Sequence, residues 1–278
     1  MNDTILVTGA TGKTGGRITD LLRSQGQEVR AVSRSTSLPF DWRDPDTWPG
    51  ALDGVKAVYV VPASLHDPDT LDQLRDFGKL AIQHGATRAV LASVPDDGSE
   101  AFQAVRDAEQ ALASSGLDLT VLRFRWFMQT FSEDFLASYV TSGELRLPAG
   151  EGGEAFIDAD DIAAVAATAL TQDGHAGREY ELTGPRALTF QDAARELSAA
   201  TGRTITYTAV SAEDYEKEQE ERGEPKEGVD LLVDLYAAIA TGDLGNTTTH
   251  VHDVLARAPH DFHDFANRAA HDGAWNGR

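Results

Sequence analysis

Three glycines, Gly9, Gly12 and Gly15, stand three residues apart directly after the apolar run Thr4–Val7. Glycine takes a sharp turn without a Cβ penalty and allows phosphates or a helix to approach the backbone closely. A helix pattern starts at once, so its unpaired N–H groups and its dipole would face an anion. Strand, turn and helix in this order predict a site for a dinucleotide pyrophosphate, although the same pattern also describes an ordinary strand–turn–helix. The residues predicted to bind the cofactor in this turn are Gly9, Thr11, Gly12, Lys13, Thr14 and Gly15.

Arg34 follows the second predicted strand, Val29–Ser33. An acidic residue about 20 positions after the glycines would bind the ribose hydroxyls of NAD, and the chain has none there. A guanidinium flanked by Ser33 and Ser35 suits a ribose 2′-phosphate instead, because it can bind phosphate bidentately. Lys13 could add a second positive charge. We therefore predict NADP(H) in preference to NAD(H); the alternative is that Arg34 is a solvated loop residue.

Strand and helix patterns alternate after the glycine turn, as in a parallel sheet covered on both faces. Further strands are expected at Val55–Val61, Ala89–Ser93 and Leu119–Arg123, with a short one around Phe40–Trp42. Later strands are expected at 179–183 and 204–207, and helices from 67 to at least 81 and at 99–115, 127–141, 158–170, 189–200, 213–222, 229–240 and 262–270. The pattern predicts an α/β, doubly wound, mostly parallel sheet.

Two regions are expected along the chain. Residues 1–183 form the cofactor-binding core, with substrate-pocket insertions around 124–155, and residues 184–278 form a smaller α/β cap. Ligands of such sheets bind outside the carboxyl ends of the strands, so we expect the cap to shape a substrate site there.

The composition excludes several classes of protein. The 278 residues carry a net charge of −21, which disfavours nucleic acid and anionic membrane partners. The absence of cysteine excludes disulfides and thiol catalysis. A strand begins too early for a signal peptide, and no apolar run approaches the ~20 residues of a membrane span. We expect a cytoplasmic protein that acts on a small molecule; its oligomeric state is not readable.

A set of short stretches beyond the glycine turn carries a family resemblance. They are 7–15, 40–42, 60–62, 114–117, 122–128, 156–162 and 181–185, with a weaker echo at 258–265. They resemble the atypical short-chain dehydrogenases, and among these the NmrA-like proteins, which include NAD(P)H:quinone oxidoreductases and the festuclavine and agroclavine reductases of ergot alkaloids. The resemblance implies a Rossmann fold, a reductase and a role in secondary metabolism.

The resemblance also implies further contacts at the ends of the central strands. Trp126 and Phe127 would border the substrate pocket, although Trp126, like Trp42, could equally be a core aromatic. Ser93 could instead be a helix cap or a loop hydroxyl. The residues implied to bind the cofactor beyond the glycine turn and Ser33–Arg34 are Asp41, Trp42, Pro62, Ala63 and Ser93.

An expected proton donor is missing. Typical short-chain dehydrogenases protonate an alkoxide with a Tyr-x-x-x-Lys pair, whereas none of the six tyrosines here has a lysine four residues later. Some relatives place a histidine or lysine in the helix after Ser93, before an acidic residue. The corresponding segment, Gln103–Glu109, contains Glu109 but neither of those residues. The catalytic residues are therefore not assigned by the sequence.

The missing acid restricts the reaction. Reduction of an ordinary ketone makes a strongly basic alkoxide and benefits from a positioned acid. A quinone yields a phenol-like oxygen of pKa ~10 that water can protonate, and an iminium needs no proton on the atom that receives electrons. Orientation of donor and acceptor can alone contribute roughly 7–11 kcal/mol. We predict NADPH-dependent reduction of a quinone, iminium or similarly activated acceptor.

The histidines are weak candidates for chemistry. His66 follows the Val55–Val61 strand and could donate a proton or bind substrate, or it could be a loop histidine; with Ser93 it is the only catalytic candidate that we name. Four histidines near the carboxyl terminus have neighbouring aspartates, but their spacing matches no known ligand set, and no metal is predicted. They are His250, His252, His260 and His263.

Two other functions fit the same residues. NmrA resembles a dehydrogenase yet acts as a cofactor-sensing binding protein, and the missing Tyr-x-x-x-Lys pair fits that role equally well. A biosynthetic isomerase or cyclase could also keep this fold with a recycled cofactor. Oxidation of NADPH by an activated acceptor would distinguish a reductase from a sensor.

Overall fold

A computed structural model describes residues 3–65, 67–242 and 244–276. The strands are β1 (Thr4–Val7), β2 (Glu28–Ala31), β3 (Val55–Val60), β4 (Arg88–Ser93), β5 (Asp118–Arg123), β6 (Glu144–Leu147), β7 (Gly153–Glu154), β8 (Glu179–Glu181), β9 (Leu188–Thr189) and β10 (Thr206–Ala209). The helices are α1 (Lys13–Ser24), α2 (Trp48–Leu52), α3 (Asp69–Gln83), α4 (Gln103–Ala113), α5 (Thr130–Glu133), α6 (Leu136–Ser142), α7 (Ala159–Thr171), α8 (Phe190–Thr201), α9 (Ala212–Glu221), α10 (Lys226–Ala240), α11 (His250–Leu255) and α12 (Phe262–His271). None of the helices in these ranges is long and apolar enough to cross a membrane.

Six strands form one parallel sheet in the order β2-β1-β3-β4-β5-β8. The chain runs outward from β1 to β2 and then returns to the other side of β1 for β3. The order therefore reverses between β1 and β3, which is where open α/β sheets bind ligands. The central strands are apolar and buried on both faces, as in β4, where Ala89–Ser93 are all buried. The predicted doubly wound α/β fold is confirmed.

The chain forms two compact units whose segments alternate in sequence. The first contains the chain up to Arg125, Ala159–Leu182 and His250–Arg257, and the second contains Trp126–Asp158, Thr183–Thr249 and the chain from Ala258. The sequence predicts a single boundary after residue 183. The structure crosses between units at four further points, because long-range pairing joins β6 to β10 and β7 to β9 within the second unit.

The predicted strand around Phe40–Trp42 is wrong. The segment forms only isolated bridges, between Ser33 and Pro39 and between Asp41 and Asp44. Side chains use the peptide groups that a strand would pair, since Asp41 N–H donates to Thr47 Oγ1 and the Trp48 indole donates to the Asp41 carbonyl at 2.9 Å. The alternating aromatic residues that suggested a strand instead enter the core. Four rings pack there with centroids 5.0–6.5 Å apart, those of Phe40, Trp42, Trp48 and Phe77.

The second unit has its own aromatic core. Phe131, Phe156 and Phe190 are fully buried and pack mostly edge to face, with centroids 5.3–5.9 Å apart. The helix expected at 189–200 is observed as α8, and Thr189 and Asp192 form a reciprocal capping box at its N-terminus. The strand expected at 204–207 overlaps β10. Strands β6, β7 and β9 of this unit and helix α11 of the first unit are not predicted by the sequence, because they have only two to six residues.

Candidate functional site

The turn between β1 and α1 has the conformation that its glycines predict. Gly9 has φ +62°, in the left-handed region that disfavours residues with a Cβ. Its carbonyl accepts a hydrogen bond from Gly12 N–H at 2.9 Å, and Ala10 N–H donates to Val32 O at the end of β2. The turn therefore folds back on itself and is fixed to the neighbouring strand segment.

Gly15 lies against the backbone of the same turn. A Cβ built on Gly15 would stand 2.3 Å from the Gly9 carbonyl oxygen and 2.8 Å from its carbon. At Gly12 the corresponding distance to the Gly9 oxygen is 3.2 Å. Any side chain at position 15 would therefore displace the turn from the first residues of α1.

The N-terminus of α1 is suited to an anion. Gly12 is the N-cap and offers no side-chain oxygen, and no described side chain caps the helix at that residue. The first turn contains no acidic residue. The free amide groups and the dipole of this twelve-residue helix therefore lie beside a glycine-rich turn, which fits the pyrophosphate of a dinucleotide.

Buried hydroxyls hold the glycine turn on the sheet. Thr8 Oγ1 donates to the Tyr59 carbonyl at 3.0 Å and accepts from Val61 N–H at 2.8 Å, joining the ends of β1 and β3. The Tyr59 hydroxyl donates to Thr14 Oγ1 at 3.2 Å, which joins β3 to the first turn of α1. Burial raises the pKa of Tyr59, so it stays neutral and acts as a structural donor. Nothing in the sequence pattern predicts these hydrogen bonds between the turn, β3 and α1.

Arg34 and Ser33 follow β2 at the same edge of the sheet. Arg34 is exposed and makes no hydrogen bond or ion pair with the described residues. Ser33 is buried, and its hydroxyl lies 3.2 Å from that of Ser35. Lys13 is half-buried at the start of α1. The exposed guanidinium of Arg34 is accessible to a phosphate, which also fits the alternative of a solvated loop residue, so its contact with a 2′-phosphate stays a prediction.

The remaining predicted cofactor contacts differ in exposure. Trp42 is only 7% exposed, and its indole N–H donates to Val61 O at 2.7 Å. It therefore occupies a core position, which is the alternative given above to a cofactor contact. Asp41 is half-buried, and its carboxylate accepts from Arg43 N–H. Pro62 and Ala63 follow β3 at the carboxyl edge of the sheet. Pro62 is half-buried and Ala63 is exposed. Their contacts with a cofactor stay predictions.

Ser93 ends β4 and is bonded to an ion pair. Its hydroxyl donates to Glu109 Oε1, and the two oxygens of Glu109 accept from Arg123 Nη1 and Nη2 at 2.7 and 2.8 Å. All three residues are buried, at 3–8% exposure. The Ser93 hydroxyl is therefore neither a helix cap nor a solvated loop hydroxyl. It unites the ends of β4 and β5 with α4, and the sequence did not predict this connection.

Arg123 is held on every side. It also donates to the Val94 carbonyl at 3.0 Å and to Glu179 Oε2 on β8 at 3.0 Å. Burial acts to lower the pKa of Arg123, but the charges and hydrogen bonds of Glu109 and Glu179 outweigh it and raise the pKa. The guanidinium is therefore a permanent charge, and a single arginine at the end of an apolar strand was the only signal of it in the sequence.

Two of the predicted substrate-pocket residues, Trp126 and Phe127, are in the second unit. Trp126 is buried, with its ring centroid 5.2 Å from that of Tyr236, so it also occupies a core position. Phe127 is half-buried and forms a parallel bridge with Ile157. His66 lies outside the described residues. A substrate contact by any of the three stays a prediction.

Comparison with known proteins identifies the family of this site. A profile described as NAD(P)H-binding matches residues 9–173, which begin at the first glycine of the turn. The chain belongs to this NAD(P)H-binding family. It is 31% identical to an NAD(P)H azoreductase of Xenophilus azovorans, over 96% of this chain and 98% of that protein. It is 30% identical to agroclavine dehydrogenase of Claviceps fusiformis, over 95% and 96% of the two chains.

A solved structure of the same fold contains the cofactor. NADPH-dependent quinone oxidoreductase QOR2 of Escherichia coli, complexed with NADPH, is 25% identical to this chain, with a TM-score of 0.81 over 95% of this chain and 99% of that one. The resemblance to NmrA-like reductases is thus confirmed, and the predicted NAD(P)H-dependent reductase is confirmed at the level of the family.

Reversal of charge at position 34 tests the prediction for the cofactor. We expect Arg34→Asp to weaken NADPH binding by about 10- to 100-fold, because a charge-assisted hydrogen bond to the 2′-phosphate contributes roughly 1.5–3 kcal/mol. NADH binding should change little. The two dissociation constants are measured by fluorescence titration. Arg23→Asp, the same charge change in the last turn of α1, is the matched control. An unchanged preference for NADPH in the Arg34 variant would overturn the assignment.

Proposed function

We propose that this protein reduces an activated small molecule, a quinone, an iminium or a similar acceptor, with NADPH as the hydride donor. The observation that carries the proposal is the state of Ser93. This hydroxyl stands at the carboxyl end of a central strand but donates its hydrogen to Glu109. No tyrosine in the sequence is followed four residues later by lysine, so the chain lacks the Tyr-x-x-x-Lys acid with which typical short-chain dehydrogenases protonate an alkoxide.

The residues at the sheet edge fit the cofactor. The glycine turn and the N-terminus of α1 would hold its pyrophosphate, and Arg34 its 2′-phosphate. When bound, NADPH supplies a hydride. The protein's own contribution is to fix the position of the reacting groups, which is worth roughly 7–11 kcal/mol without proton transfer by a side chain.

The names of the similar proteins support this reaction class. They specify an azoreductase, an agroclavine dehydrogenase and a quinone oxidoreductase, which are enzymes named for three different substrates. Two of the names state NAD(P)H or NADPH. The net charge of −21 further favours a small molecule over a nucleic acid. We propose a cytoplasmic reductase, with a place in secondary metabolism.

A panel of acceptors tests the proposal. NADPH absorbance is followed with a quinone, an azo dye, a cyclic iminium salt and an unactivated ketone of similar size. We expect oxidation with one or more of the activated compounds and none with the ketone. Gly15→Val, whose side chain would displace the glycine turn from the first residues of α1, is the control for cofactor-independent reduction. Turnover of the ketone alone would contradict the proposal, and tight NADPH binding without any oxidation would favour a cofactor sensor.

A further inference from the structure

We infer that the Ser93 hydroxyl is a fixed hydrogen-bond acceptor towards bound ligand, and that the ligand group it positions is an N–H donor. This inference rests on the proposed function for its setting, because it assumes a ligand at the carboxyl edge of β4. It assigns Ser93 a role opposite to that of a serine that donates to a carbonyl or an oxyanion.

The polarity follows from the partners of Glu109. Arg123 donates to both carboxylate oxygens, at 2.7 and 2.8 Å, and a guanidinium has no acceptor. A carboxylate paired in this way is ionised and accepts only, so it cannot donate to Ser93. The hydrogen of the Ser93–Glu109 bond must therefore come from serine. A hydroxyl has one hydrogen and two lone pairs, so after this bond Ser93 Oγ can only accept hydrogen bonds from a ligand.

The surroundings keep this hydroxyl from turning round. Arg123 is fixed to Val94 O and Glu179, and its backbone lies opposite Ser93 in the register of β4 and β5. Ser93 is 3% exposed, so its hydroxyl is held by these protein groups. Rotation of the hydroxyl would leave a buried carboxylate oxygen with one donor fewer, which is costly.

The position of Ser93 determines which groups it can meet. It ends the strand beside β3, and β3 leads into Pro62 at the same edge. Ligands of this fold class lie along that edge. Two N–H donors belong to the proposed reaction, the carboxamide of the nicotinamide and a protonated nitrogen on the acceptor. A quinone oxygen carries no hydrogen, and Ser93 has nothing to donate to it.

A binding experiment tests the polarity without turnover. NADPH is compared with its analogue in which an acetyl group replaces the carboxamide and removes both N–H donors. If the carboxamide is the partner, the unmodified protein should bind NADPH up to about tenfold more tightly than the analogue, which is the value of one hydrogen bond. Ser93→Ala keeps the Glu109–Arg123 pair and should bind the two cofactors equally. Ser114→Ala, at the end of the same helix as Glu109, should behave as the unmodified protein.

A second arm examines the acceptor. KM and kcat are measured for an iminium bearing N–H, for its N-methylated counterpart and for a quinone. If the acceptor nitrogen is the partner, Ser93→Ala should raise KM for the N–H iminium by up to about tenfold and leave the other two unchanged. If neither comparison changes, or if only the quinone loses kcat/KM, the inference is overturned. The binding arm stands even if no acceptor is turned over, so the failure of the proposed function is distinguishable from the failure of this inference.

Discussion

Replacement of Gly15 by alanine should weaken NADPH binding on the order of 100-fold, since shifts of about 1 Å in a binding geometry have effects of that size. The added Cβ would stand 2.3 Å from the Gly9 carbonyl oxygen, which is a backbone atom and cannot move aside as the end of a flexible side chain could. The turn and the first turn of α1 must separate, which removes the amide groups from the position that favours an anion. The dissociation constant is measured by titration of protein fluorescence or by calorimetry.

The adjacent glycine provides a matched control. A Cβ on Gly16 would lie 3.4 Å from the Ala10 oxygen, which is at the border of ordinary contact. Gly16→Ala adds the same methyl group to the same helix and should bind NADPH nearly as the unmodified protein does. Alanine within a helix also stabilises it by up to ~1 kcal/mol relative to glycine. Equal affinities of the two variants would show that the turn does not hold the pyrophosphate.

The glycine turn could be predicted from the sequence because its causes are local. An apolar run, three glycines and a helix pattern lie within about two dozen neighbouring residues, and each has a conformational preference of its own. The central strands could be predicted for a similar reason. A run such as 57–60 is apolar on both faces, as a buried parallel strand requires.

The segment at Phe40–Trp42 could not be predicted in the same way. Its alternation of aromatic and polar residues is also the pattern of a strand. The outcome depends on Trp48 and Phe77, which surround these rings, and on side chains that take the hydrogen bonds of Asp41. The division of the chain into alternating segments of two units could not be predicted either, because it depends on pairing between strands that are distant in sequence, such as β6 and β10.

The Ser93–Glu109–Arg123 group shows the same limit within the candidate site. Glu109 reads as one acidic residue among many on a helix, and nothing in its neighbours reveals a partner. Only the packing of α4 on the sheet brings it to the ends of β4 and β5. The sequence could therefore indicate that an acid was missing, but not that the serine in its place was already bonded to a carboxylate.

Removal of one member of this buried pair should destabilise the protein strongly. We expect Arg123→Met to lower the free energy of unfolding by about 3–5 kcal/mol, because Glu109 would remain as an uncompensated charge at 9% side-chain exposure. Glu109→Leu should cost a similar amount, because the exposed Glu179 would be the one carboxylate still paired with Arg123 among the ion pairs described above. The measurement is denaturant unfolding, with the midpoint and slope compared between variants. Arg75→Met, which breaks the exposed pair with Asp72, should cost less than about 1 kcal/mol.

The double variant Glu109→Leu with Arg123→Met separates charge from packing. If the cost of each single change is mainly an unpaired buried charge, the double variant should recover most of the lost stability. It should retain a deficit of about 1–3 kcal/mol, because the buried Ser93 hydroxyl loses its acceptor. Adding Ser93→Ala should then remove that deficit. Additive losses across the series would mean that the group stabilises the sheet by packing alone, and that the polarity of Ser93 does not depend on its ion pair.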